Sequence, residues 1–240
     1  MTIPTTSLGG NKLSIQTARD LARTIDISCV RTHHSEEDIH ALAAASIRWE
    51  FINAHVLPHW VPLLRTLLTG SKTLVGAPVG FPSGGSSTSV KLKETQFLLE
   101  NGVEEIDVVM NVGRFLSGDL LYVELELRQI LEEINSEIPV KIIIESSYLS
   151  DAQIRLAAKL GAAVGANYIK TGTGWAGPVT VEAITAISES IFAPVMIKAS
   201  GGIRTLALID KLASAGATRF GVGVSSAIDL VQQREVQVAT

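Results

Sequence analysis

Short runs rich in Val, Ile and Leu alternate along the chain with longer segments whose apolar residues recur every three or four positions. The short runs fall near residues 22–30, 50–57, 72–79, 104–112, 140–147, 166–170, 193–200 and 218–225. Such near-continuous apolar runs predict parallel strands covered on both faces. The segments between them predict helices. "SEEDIHALAAASIR" offers Ser35 as N-cap, acids in its first turn, and Ile39, Leu42, Ala43 and Ile47 on one face. "TSVKLKETQFLLENG" stops at Asn101-Gly102, a left-handed cap signal. Val123, Leu127, Ile130, Leu131 and Ile134 form a stripe at helical spacing, and Ser150 caps the next helix. Further helices follow in "VTVEAITAISES" and "TLALIDKLASAG", and a last one begins at Ser225 or Ser226.

Strict alternation implies parallel strands joined by right-handed crossovers. Eight such units in 240 residues predict one domain over 1–240, a (β/α)8 TIM barrel, with 1–20 as an N-terminal extension or helix. A doubly wound open sheet is the competing architecture. Its usual signals, GxGxxG after the first strand or GxxxxGK[ST], are missing from the sequence.

Composition narrows the function. A net charge of −4 gives no global field for nucleic acid or an anionic membrane, so an anionic ligand must be held locally. Cys29 is the only cysteine, which rules out an internal disulfide and a thiolate metal cluster. The segment "MTIPTTSLGGNKLS" lacks a secretory apolar core, and no apolar run approaches the roughly 18 residues of a membrane span. A cytoplasmic setting is the expectation.

In a barrel, functional groups sit at the C-terminal ends of strands. Strand ends here offer Asp26, Ser28 and Cys29, then Asn53 and His55, then Asp107 and Asn111. Lys141 and Glu145 lie on the fifth strand, Lys170 ends the sixth and Lys198 the seventh. Adjacent strands lie about 4.8 Å apart, which brings the last two ammonium groups close. Neighbouring positive charges disfavour each other, and desolvation favours the neutral amine. A neutral lysine can attack a carbonyl and form a Schiff base, and Asp107 can move protons through water. The plain alternative is two lysines reaching solvent at the barrel rim.

Gly201-Gly202-Ile203-Arg204 follows the seventh strand, and Gly221 to Ser226 follows the eighth. Barrels commonly bind phosphate at these two loops, through backbone N–H groups and a helix N-terminus; ordinary turn chemistry is the alternative. His55 and His59 have a metal-like spacing, but Pro58 between them interrupts a helix, and no metal is expected. His33 and His34 sit in a polar loop, and the Gly/Ser-rich stretch 79–95 reads as a loop and helix cap near the site's mouth.

The stretches "VGFPSG", "EEIDVVMNVGRFLSGD", "VKIIIESSYLSD", "NYIKTGTG", "IKASGGIRT" and "RFG…SS" occur in the order found in deoxyribose-phosphate aldolases. The chain resembles that family from about residue 22 to 232. The resemblance implies a class I aldolase that cleaves 2-deoxy-D-ribose 5-phosphate, a phosphorylated sugar, to acetaldehyde and D-glyceraldehyde 3-phosphate. It implies no metal, no organic cofactor and a homo-oligomer, dimer or tetramer. By position, Lys170 resembles the Schiff-base lysine, Lys198 the second lysine and Asp107 the relay aspartate. Gly201, Gly202, Ser225 and Ser226 match the phosphate loops, with Thr171, Lys141, Ser28 and His55 as further substrate contacts. The chain departs from the family pattern at Ser28, at His55 where a cysteine is usual, at Gly172 where a serine is usual, and in a last loop two residues longer. These changes leave open a larger donor carbonyl or a different phosphorylated sugar. A non-catalytic phospho-sugar binding barrel and a metal-dependent aldolase are the remaining readings.

Overall fold

The computed structural model describes residues 15–134, 138–192 and 194–239. Its eight strands are β1 Ile25–Cys29, β2 Asn53–Val56, β3 Leu74–Val79, β4 Glu105–Val109, β5 Val140–Ile143, β6 Tyr168–Lys170, β7 Met196–Ser200 and β8 Arg219–Gly223. Each pairs in parallel with the next, and β8 returns to β1 to close the barrel. The expected (β/α)8 architecture is the one observed. Side chains alternate along each strand. On β1, Ile25 and Ile27 join the hydrophobic shell under the helices, while Asp26 and Ser28 face a central cavity.

The helices are α1 Ala18–Ala22, α2 Glu36–Trp49, α3 Val61–Leu67, α4 Thr88–Glu100, α5 Val112–Leu116, α6 Leu120–Ile134, α7 Asp151–Ala163, α8 Val181–Ser188, α9 Leu206–Ser214 and α10 Val224–Ala239. Their starts follow capping chemistry. Ser35 and Ser150 form capping boxes with Asp38 and Gln153, and Thr180 and Thr205 cap α8 and α9. Gly102 ends α4 with φ 75°, as the Asn-Gly signal predicts.

Two features differ from the sequence pattern. The connection between β2 and β3 holds a 3-10 turn, Pro58–Trp60, and α3. Pro58 reads as a breaker, yet it and Pro62 each lie in the first turn of their element, where a missing N–H leaves no bond unmade. The strands are also shorter than the apolar runs. On β4, ladder pairing stops at Val109, and the run continues into the loop through buried Met110. Of the expected N-terminal extension, residues 1–14 lie outside the described part; the rest, 15–20, holds the start of α1, which packs against α10. Among the described residues no helix is long and apolar enough to cross a membrane.

Candidate active site

The barrel interior is unusually charged. Asp26, Glu105, Asp107, Lys141, Lys170, Lys198 and Arg219 are all buried. In the lower layer, Glu105 takes Lys141 and Arg219, both at 2.6 Å. Above it, Lys170 and Lys198 both donate to one oxygen, Asp107 Oδ2, each at 2.7 Å. Lys198 also lies 2.5 Å from Asp26 Oδ2, and Lys141 lies 3.1 Å from Asp107 Oδ1. Register explains the layering. Lys170 pairs with Lys198 across β6 and β7, whereas Lys141 pairs with Tyr168, two residues lower.

This ion-paired network sets four cations against three carboxylates. Fully ionised, it buries one uncompensated positive charge. Losing one lysine proton removes the excess, and burial favours that loss at Lys170. Burial lowers the Lys170 pKa from 10.5 to about 8, with Lys198 and Lys141 pushing the same way and Asp107 opposing. Burial also works against charge on Lys141, but Asp107, Asp26 and Glu105 outweigh it and hold that lysine above its usual range. Desolvation is therefore the first cause of the Lys170 shift, and the cationic neighbour foreseen in the sequence comes after it. Burial works against charge on Asp107, but Lys141, Lys170 and Lys198 outweigh it and hold the carboxyl well below its usual range.

A cavity of about 610 Å³ opens over this network. Lys170, Lys198, Asp26, Ser28 and His55 line its floor and walls; Gly201, Gly202, Ser225 and Ser226 line it on the β7 and β8 loops. Gly201 and Gly202 adopt φ 118° and 69°, the left-handed region that favours glycine. A Cβ on Gly201 would also sit 2.7 Å from Gly177 O. Ser225 and Ser226 fall in the first turn of α10, where free N–H groups and the helix dipole favour an anion.

No family model matches the sequence. The deoxyribose-phosphate aldolase of Rhizobium meliloti (strain 1021) is 49% identical over 217 residues, spanning 90% of this chain and 87% of that one. The chain belongs to the deoxyribose-phosphate aldolase family. The Klebsiella pneumoniae member is 37% identical over 231 residues, spanning 95% of this chain and 92% of that one. Among solved structures, the tetrameric deoxyribose phosphate aldolase of Aeropyrum pernix superposes with a TM-score of 0.83 at 28% identity, covering 93% of this chain and 94% of that one.

Within this aldolase barrel, two expected substrate contacts lie elsewhere. Lys141 is wholly buried beside Asp107, its partner in the β4–β5 register, and lies outside the cavity lining. Thr171 is also outside the lining; its hydroxyl accepts from Ser200 N at 3.0 Å and donates to Ser200 O at 3.2 Å, pinning β6 to β7. Asp107 lies just under the floor and reaches the cavity through the lysines it holds. Glu105 and Arg219 escaped the sequence reading because they begin their strands. Their signal was the period-two spacing of Glu105 and Asp107 on β4.

Gly172, an aldolase-family departure, has a local reason. A Cβ there would collide with Glu145 Oε1. Glu145 accepts Thr173 N at 3.1 Å and Thr173 Oγ1 at 2.5 Å, so it latches the loop that follows Lys170. Arg31 reaches the same loop, donating to Gly174 O at 3.0 Å over the Trp175 ring. Asp26, His55 and Asp107 place ligand-type atoms within 4.8 Å of one another. Their carboxylates already face Lys141, Lys170 and Lys198, so a divalent cation would enter a set already in positive excess. The donor set does not fit a metal.

Proposed function

We propose that this chain is a Schiff-base aldolase, a carbon–carbon lyase that reversibly cleaves 2-deoxy-D-ribose 5-phosphate to acetaldehyde and D-glyceraldehyde 3-phosphate. One observation carries the reading: Lys170 faces the cavity with its pKa lowered to about 8, sharing Asp107 Oδ2 with Lys198. At pH 7 about a tenth of Lys170 is then the free amine, against less than about a thousandth for an unperturbed lysine. The amine attacks the aldehyde carbon C1, and loss of water gives an iminium. Breaking C2–C3 sends its electron pair into the enamine. Asp107, Lys198 and water supply the proton to C2, and hydrolysis frees Lys170. Gly201, Gly202, Ser225 and Ser226 hold the phosphate through N–H and hydroxyl groups at the start of α10.

The family's tetrameric relative supports a homo-oligomer, and a small phosphorylated-sugar substrate together with the lone reduced Cys29 supports a cytoplasmic setting. Borohydride with substrate should add its mass to the peptide holding Lys170. An unmodified Lys170, or a Lys170→Ala variant with full activity, defeats the reading. A second reading keeps the chemistry and changes the substrate to a larger donor carbonyl or another phosphorylated sugar. It is favoured by Ser28 and His55, both family departures, lying on the cavity wall. A panel of donor ketones and phosphorylated sugars separates the two by relative kcat/KM.

A further inference from the structure

Period-two alternation on β2 puts Asn53 and His55 inside the barrel, and Ala54 and Val56 in the outer hydrophobic shell. Asn53 Oδ1 lies 3.1 Å from His55 Nδ1. With the amide oxygen as acceptor, this pairing selects the tautomer in which Nδ1 donates its N–H and the lone pair lies on Nε2. Nε2 is buried without a hydrogen-bond partner, 3.6 Å from Asp107 Oδ2. Two acceptors at that separation make no bond with each other. They leave an unfilled role for a group that carries a proton. The ring also lines the cavity that holds the Lys170 amine.

The neighbouring strand makes room for this pair. Gly76 stands beside His55 in the β2–β3 register. A Cβ at Gly76 would collide with His55 Nδ1, and would lie 2.7 Å from Asn53 Nδ2. Burial keeps the imidazole neutral, with Lys198, Lys170 and Lys141 adding to that effect and Asp107 opposing it. The ring therefore meets a substrate as a base.

We propose that His55 Nε2 takes the C3-hydroxyl proton of the substrate when the C2–C3 bond of the Lys170 iminium breaks. The inference rests on the Schiff-base reading above. In the step, the C2–C3 electron pair forms C1=C2 and the C=N pair moves to nitrogen. The O–H pair forms the C3 carbonyl, and the proton goes to Nε2. The imidazolium so formed faces the Asp107 carboxylate, which stabilises it and passes the proton on to the relay that serves C2. No proton is gained or lost overall. In synthesis, the same imidazolium donates to the acceptor aldehyde oxygen as the C–C bond forms.

The test uses the full chain carrying His55→Gln, which keeps a polar end but has no basic nitrogen. Expected results are borohydride trapping of Lys170 by acetaldehyde at the wild-type rate, and undiminished exchange of the acetaldehyde methyl protons in D2O. Cleavage of deoxyribose 5-phosphate should fall on the order of 100-fold. A His55→Gly variant should regain cleavage with added imidazole. Wild-type cleavage in His55→Gln overturns the proposal. So does an equal loss of trapping, exchange and cleavage, which would make His55 a packing residue. Should wild-type Lys170 itself resist trapping, the Schiff-base reading is what fails, and this proposal with it.

Discussion

Two regions of the molecule bury lysine against carboxylate, and they behave differently. Outside the barrel, between α4 and α6, Lys91 donates to Glu126 at 2.7 Å and to Val109 O at 2.9 Å, and both side chains are fully buried. Inside, three lysines crowd around Asp107. Burial pulls both the Lys91 and the Lys170 pKa down. The first pair balances one charge with one charge and adds a carbonyl acceptor. The second region holds a proton in excess and opens to a cavity. Burial alone does not make a lysine into a nucleophile; a surplus of cations with access to a carbonyl compound does.

Removing the amine breaks the comparison most strongly. Lys170→Met should lower kcat on the order of 10⁴-fold or more and abolish borohydride trapping. Its thermal stability should hold or rise, because the variant removes the uncompensated buried charge. Lys91→Met should do the reverse. It strands Glu126 without its partner, so unfolding in urea should show a loss of about 3–5 kcal/mol, while the folded fraction still traps acetaldehyde on Lys170. Equal effects of the two substitutions on activity would erase the distinction between the two lysines.

Acidity sharpens it further. Below the Lys170 pKa of about 8, the free-amine fraction falls about tenfold per pH unit, so trapping should speed up with pH and level off above about 8. Lys198→Met removes an ammonium that disfavours charge on Lys170, so the same limb should move to higher pH. A limb that moves down instead would reverse the assigned role of Lys198. The smallest expected effect is at the loop. Glu145→Gln weakens the charge-assisted bonds to Thr173, and should raise KM a few-fold with trapping intact, a difference of about 1 kcal/mol. An unchanged KM would mean the latch does not shape the cavity.

Much of this was legible in the chain. Strands buried on both faces leave unbroken apolar runs, which is why all eight appeared. The lysines stood out because each ends such a run at a costly place for charge. Height along the barrel was not legible. Lys141 and Lys170 both lie on apolar strands, yet register sets Lys141 two residues lower, level with Asp107 and away from the cavity. Thr171 follows the nucleophile in sequence but turns toward β7 to bond Ser200. Such assignments depend on which strand lies beside which, and at what offset. The apolar pattern of a single strand contains neither. The short helix α3 was hidden by Pro58 just before it and Pro62 in its first turn, where a proline is accommodated.

The bare backbone at Gly76 ties two positions into one decision. An imidazole at 55 and any side chain at 76 compete for the same space, so neither can drift in sequence without the other. Trading the histidine alone does not free β3 for alanine, because the Asn53 amide oxygen would also lie 2.5 Å from that Cβ. Chains that keep the histidine should be found with glycine there, and engineering either site means redesigning the pair.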